Sequence, residues 1–146
     1  MERSKSFAIY KANKNINGSA LQVDFNKLKQ SVFMECANQK SEDRFDWDNK
    51  ITVKLSASDM GRILEVLEGC TSEVKLFHQP SKGEYKTAES VKNAVVNFSS
   101  SSMGFSVRVS QQTNEGLKAV NVNISKGEGI LLRILLSKAI EQMYGW

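Results

Sequence analysis

The sequence predicts an α+β fold in which two four-stranded antiparallel sheets pack on helices, a ββββα unit written twice. Three observations carry that expectation. Apolar residues alternate with polar ones over most of the chain, the period of strands with one buried face. The period changes to helical spacing only twice. Each change is marked by the same phrase, "ITVKLSASDMGRIL" from Ile51 and "VNVNISKGEGILLR" from Val120, in which a serine ends the strand and an acid follows three residues later.

Taken in order, Phe7 and Ile9 oppose Ala8 and Tyr10, and Leu21, Val23 and Phe25 alternate with Gln22 and Asp24. Asn17-Gly18 between these strands is a tight-turn signal. Val32, Met34 and Cys36 then alternate with Phe33 and Glu35, and Ile51, Val53 and Leu55 with Thr52 and Lys54. Ser56 and Asp59 make a capping box, a hydroxyl meeting orphan backbone donors with an acid at the positive helix end. Met60, Ile63, Leu64 and Leu67 give one apolar stripe, and Gly69 stands where a left-handed cap closes the helix.

The second half repeats the plan. Val74 and Leu76 mark one strand and residues 91–98 another, and "NFSSSSMG" reads as a hairpin loop. Phe105, Val107 and Val109 alternate with Ser106 and Arg108, then Val120, Val122 and Ile124 with Asn121 and Asn123. Ser125 and Glu128 open a helix expected to run to about Met143. The two halves thus span about residues 1–70 and 71–146 of one domain. Between residues 130 and 136 only Arg133 is polar, so this helix is apolar nearly all round. Either it is wedged between both sheets of its own chain, or it presents a self-association surface. The second reading assigns Ile130, Leu131, Leu132, Leu135 and Leu136 to an oligomer interface.

A chain of 146 residues with 40% hydrophobic and 25% charged residues can bury a sizeable core. Its net charge of +4 is uneven: residues 1–30 hold six bases (Arg3, Lys5, Lys11, Lys14, Lys27, Lys29) against two acids (Glu2, Asp24), the whole of the excess. Such a cluster is either a solvated face or the footprint of a polyanionic partner. Cys36 and Cys70 lack any metal or redox spacing, which points to a reducing compartment. No apolar run reaches the ~20 residues of a membrane span, and "MERSKSFAIY" lacks a signal-peptide profile. The expected location is cytoplasmic, either nucleoid-associated or in a host cytoplasm if the source is a phage.

Support for catalysis is thin. His78 is the only histidine, and it reads as a structural residue at a strand end rather than a general base. A zinc site would need an unusual set of carboxylates, and "SKGEG" and "SKGEY" lack the phosphate-cradling pattern. No enzymatic activity, cofactor, metal or small-molecule substrate is therefore expected.

Specific words in this plan resemble the Whirly family. "RFDWDNKITVKLSASDMG" is similar to that family's aromatic-Asp-Trp segment before a strand ending in Leu-Ser and an acid-hydrophobic-Gly. "SEVKLFHQP" keeps Phe77, His78 and Pro80 of its Glu-Phe-Phe-His-Asp-Pro stretch, "ESVKNAV" resembles its Val-Arg-Lys-x-Leu strand, and "MYGW" its hydrophobic-Gly-Trp ending. The order agrees from Arg44 to Trp146 and more loosely before it. The resemblance implies a fold shared with the coactivator positive cofactor four and with kinetoplastid guide-RNA-binding proteins. It further implies tetramers assembled through helices, and single-stranded DNA held by the sheets with little sequence preference. One departure stands out: the family's Lys-Gly-Lys-Ala-Ala-Leu motif is reduced to "NGSALQV", without both lysines, so assembly beyond a tetramer has no support here.

A single-strand binder needs cations that track phosphates and aromatic faces for bases. Strand parity puts Tyr10, Phe33, Lys54, Lys75 and Phe77 opposite the core residues. With Lys5, Lys11, Lys14, Lys27, Lys29 and Lys92 they are the candidate nucleic-acid-binding set. The alternative for Tyr10, Phe33 and Phe77 is that they cover a sheet edge or a neighbouring protomer. Phe45 and Trp47 share parity with core residues, which predicts structural roles. The function expected is a non-enzymatic single-stranded-DNA-binding protein acting in replication, recombination, repair or transcription. Its rivals are an RNA-binding or annealing module on the same fold and an oligomeric scaffold.

Overall fold

In the computed structural model, which describes residues 5–78 and 94–146, the alternating stretches close into two antiparallel sheets. The first contains β1 (Phe7–Lys11), β2 (Ser19–Asn26), β3 (Ser31–Ser41) and β5 (Ile51–Leu55), paired in the order β1-β2-β3-β5. A two-residue strand, β4 (Arg44–Phe45), folds back on the far end of β3. The second sheet pairs β6 (Glu73–His78), β7 (Ala94–Ser101), β8 (Gly104–Thr113) and β9 (Gly116–Ser125) in chain order. Helix α1 (Ala57–Leu67) follows β5, and helix α2 (Lys126–Tyr144) follows β9. The start of the strand expected over residues 91–98, with Lys92, lies outside the described residues.

Both repeated phrases do the same work. Ser56 Oγ accepts from Asp59 N–H at 3.1 Å while Asp59 Oδ2 accepts from Ser56 N–H at 3.0 Å. Ser125 and Glu128 repeat this at 3.1 and 2.9 Å. Each box satisfies donors that a helix start leaves orphaned. Gly69, at φ +81°, closes α1 as expected, with Cys70 N–H donating to Glu65 O at 2.7 Å.

The inward faces of both sheets share one core with Met60, Ile63 and Val66 of α1 and Leu132, Leu136 and Ala139 of α2. The helices do not serve one sheet each. Helix α1 packs on β6 and β7 as well as β5, and α2 packs on β3, β8 and β9. Helix α2 comes closest to the second sheet at Gly129, where a Cβ would lie 2.5 Å from the Phe105 ring. Burial in this core, with Glu35 adding to it, pushes the Cys36 thiol up to about 12.

Three expectations change. Leu132 and Leu136 are only 4% and 2% exposed, so these two belong to the chain's own core and not to an oligomer interface. A helix with apolar residues all round leaves open which stripe faces inward, and α2 turns the 132-136-139 stripe to the sheets. Asn17-Gly18 does not form a two-residue turn, because the β1–β2 connection spans residues 12–18. The left-handed residue there is Ile16, at φ 56°. Gly18 is instead a close approach: a Cβ would lie 1.8 Å from the Lys11 carbonyl oxygen. Finally, β3 runs past its apolar alternation because Gln39 is buried among backbone partners. Its Oε1 accepts from Asn13 and Gly18 N–H at 3.0 and 2.9 Å, and its Nε2 donates to Asn13 O and Ser41 O at 2.9 Å each.

Candidate nucleic-acid interface

The second sheet presents an outer face of cations and amides. Register places Lys75, Asn97, Arg108 and Asn121 in one row across β6, β7, β8 and β9. The neighbouring row is Phe77, Val95, Ser110 and Ala119, and Phe77 is 72% exposed. Beyond the first row lie Glu73, Ser99, Ser106 and Asn123. Among the described residues Glu73 is the only acid on this face. Two cations, exposed amides and one open ring can contact phosphates, base edges and a base face.

Arg108 was not among the expected site residues, although its alternation with Phe105, Val107 and Val109 already puts it outward. The edge of this sheet is covered by the first one. Ser19 Oγ donates to Asn121 O, and Asn38 Nδ2 donates to Ala119 O at 3.1 Å. Side chains thus occupy carbonyls that an open edge strand would offer to other chains.

On the first sheet the outer row is Asp24, Phe33 and Lys54. Lys29 Nζ lies 5.7 Å from the centre of the Phe33 ring, a cation–π approach that brings Lys29, Phe33 and Lys54 together. Acids interrupt this face. Asp24 accepts from Ser6 Oγ, and Glu35 pairs with Lys50 at 2.5 Å.

Tyr10 belongs to a different cluster. It is 60% exposed and its ring centre is 5.7 Å from that of Phe45, which lies 6.5 Å from Trp47. Strands stand ~4.8 Å apart, and β2 and β3 separate β1 from β4. Phe45 can reach Tyr10 only by lying across the intervening row, which holds Ala20 and Ala37. Both alanines have no exposed surface. Phe45 and Trp47 are therefore partly exposed on the outer face and not in the core that their parity suggested. A two-residue strand that folds back does not keep the parity of its neighbours. With Asp43 and Arg44 the three rings line an open hollow.

The remaining lysines scatter. Lys14 is exposed in the β1–β2 loop and Lys27 at the β2–β3 turn. Lys5, Lys27 and Lys138 rim an apolar groove between β2 and α2. Lys11 is spoken for, because its Nζ lies 2.9 Å from Glu128 Oε1. Burial pushes the Glu128 carboxyl up, but the Ser125 N–H, the Lys11 ammonium and the Ser125 hydroxyl outweigh it and hold the group below its ordinary value. His78 Nε2 lies 3.0 Å from Asp59 Oδ2, without a formed hydrogen bond, and joins the end of β6 to the first turn of α1.

The Whirly transcription factor family model matches residues 9–135. No curated protein sequence matches the chain. Among solved structures, the plant transcriptional regulator PBF-2 superposes with a TM-score of 0.78 at 20% identity, over 100% of this chain and 93% of that one. WHY3 from Arabidopsis thaliana gives 0.80 at 19% identity, over 100% and 92%. A guide-RNA-binding protein complex bound to a gRNA gives 0.72 at 19% identity, over 97% and 92%. At these identities the likeness is one of fold, two antiparallel sheets with two helices.

Proposed function

The chain belongs to the Whirly transcription factor family, and from that premise we propose that it binds single-stranded DNA, largely without regard to sequence, and acts without enzymatic chemistry in transcription, replication, recombination or repair. The observation that carries this reading is the Lys75-Asn97-Arg108-Asn121 row beside exposed Phe77. A flat face with two cations, no acid in the row and an open ring suits an unpaired strand, whose phosphates and base faces are both accessible. A duplex hides its base faces, so Phe77 has nothing to stack on. The gRNA-bound complex of similar fold makes RNA the second ligand to test.

The assay is a titration of labelled oligo-dT, oligo-U and duplex DNA at two salt concentrations. Single strands should bind more tightly than duplex, with log affinity falling by roughly 0.7 per log salt for each phosphate neutralised. Arg108→Ala or Lys75→Ala should lower both affinity and slope, whereas Phe77→Ala should lower affinity and leave the slope nearly unchanged. Equal affinity for duplex and single strand would refute the stacking platform, and a dependence on the 2′-hydroxyl would transfer the function to RNA.

The proposal includes self-association, as a tetramer, through α2. Ile130, Leu131, Ile134 and Leu135 remain exposed on one side of that helix, an apolar stripe its own sheets do not cover. Sheets facing outward from such a junction would let one strand pass between protomers.

A further inference from the structure

We propose that the hollow lined by Tyr10, Asp43, Arg44, Phe45 and Trp47 is a guanine-preferring subsite for one base of the bound strand, an inference that rests on the single-strand-binding reading above. Its walls accept any base. Tyr10 and Phe45 are tilted by 34° and Phe45 and Trp47 by 58°, so the rings do not stack on one another and keep faces open to a guest. The hollow is open to solvent, so a base can enter it without displacing protein.

Its rim is selective. Guanine presents O6 and N7 as adjacent acceptors, which suit the guanidinium fork of Arg44. Its N1–H and N2 amine are adjacent donors, which suit the two oxygens of the Asp43 carboxylate. Adenine and cytosine place an amine beside an acceptor, and thymine flanks its one N–H with carbonyls. None of them satisfies both rim groups. The Arg44 guanidinium has no hydrogen-bond or ion-pair partner among the described residues, and Asp43 Oδ1 accepts from Ser41 Oγ at 3.2 Å. A carboxylate beside a polyanion costs affinity when phosphate is the only ligand. Donors on a base give it a partner.

The rim is also braced. Ser41 pairs with Arg44 and Gln39 with Phe45 across β3 and β4. Asp46 N–H donates to Asn38 O at 2.8 Å, and Gln39 Nε2 donates to Ser41 O at 2.9 Å. A recognition pair mounted on a fixed hairpin loses little freedom when it engages a base.

The test is competition against labelled oligo-dT by unlabelled thymine strands carrying isolated guanines, inosines, 7-deazaguanines, adenines or cytosines. Isolated guanines cannot form quartets. The guanine strand should compete roughly fivefold better than the adenine or cytosine strand. Inosine, which lacks the N2 amine, and 7-deazaguanine, which lacks N7, should each lose most of that advantage. Asp43→Ala should make guanine and inosine equivalent while oligo-dT affinity holds or rises. Arg44→Ala should make guanine and 7-deazaguanine equivalent. Both side chains are exposed, so neither variant disturbs the core. Guanine strands that compete no better than adenine or cytosine strands would overturn the subsite alone. A protein that binds none of the strands would overturn the single-strand reading and the subsite with it.

Discussion

Replacing Gln39 tests whether one buried amide holds together the end of the first sheet. The residue is 7% exposed and makes four short bonds: Asn13 N–H at 3.0 Å, Gly18 N–H at 2.9 Å, and Asn13 O and Ser41 O at 2.9 Å each. All its partners are backbone groups of the 12–18 loop and the β3–β4 hairpin. A net ~0.5–1.5 kcal/mol per bond would sum to roughly 2–6 kcal/mol. Asn13 is exposed, so water can replace part of its share, and a loss of about 2–4 kcal/mol is the better expectation.

Gln39→Met keeps the volume and removes every donor and acceptor, so it isolates the bonds from the packing. Gln39→Glu keeps the acceptors for Asn13 and Gly18 but faces two carbonyls with a carboxylate, and should be no better. Urea unfolding at fixed protein concentration should move the midpoint of Gln39→Met down by roughly 1–2 M, given a slope of about 2 kcal/mol/M. A shift within about 0.5 kcal/mol of the parent would show that water satisfies the loop equally well, and would refute the bracing role.

Two further outcomes follow from the second helix. Glu128 has a folded pKa held below its ordinary 4.5, so the stability it contributes is fully present above that value and is lost as pH falls through the lower folded value. Glu128→Gln keeps the capping box, and its stability deficit relative to the parent should shrink as pH drops below 4.5; a deficit constant with pH would refute the assignment. Leu135→Glu charges the exposed stripe of α2 and should split the proposed assembly in light scattering without unfolding it, whereas Leu136→Glu places a charge in the core and should unfold the chain. A parent protein that stays monomeric at high concentration would remove the proposed inter-protomer path.

The strands and helix starts were legible because their signals are local. Period-2 alternation and a serine followed by an acid at the third residue are properties of a few consecutive side chains. The failures have two causes, partners distant in sequence and stretches too short to carry a period. Nothing near Gln39 announces that loop backbone from Asn13 and Gly18 will surround it. The fold-back of Arg44–Phe45 carries no period, so parity sent Phe45 and Trp47 to the wrong side. Lys11 belongs to the basic cluster of residues 1–30, yet Glu128, which pairs with it, lies in the other half of the chain. In α2 the stripes 132-136-139 and 131-134-135 are equally apolar, and only the position of the sheets decides between them.

The doubled unit also explains why the two outer faces differ. Inward positions are held to apolar residues by a shared core, and cap positions by the orphan groups of each helix start, so both copies keep them. Outward positions answer to neither constraint. The second sheet fills its outer row with Lys75, Asn97, Arg108 and Asn121, while the first carries Asp24 and Glu35 among its lysines and turns aromatic at one end. Under the proposed function this divides the labour: the second sheet is suited to phosphates and to any base face on Phe77, which every strand offers alike, and the aromatic end of the first to base edges, which differ. The Lys11–Glu128 pair crosses between the halves at 2.9 Å and fixes a lysine at the end of β1, on the side of buried Ile9, to the helix cap of the second half. That lysine therefore serves the relative placement of the two faces, and its removal should disturb binding through geometry, with little change in the salt slope.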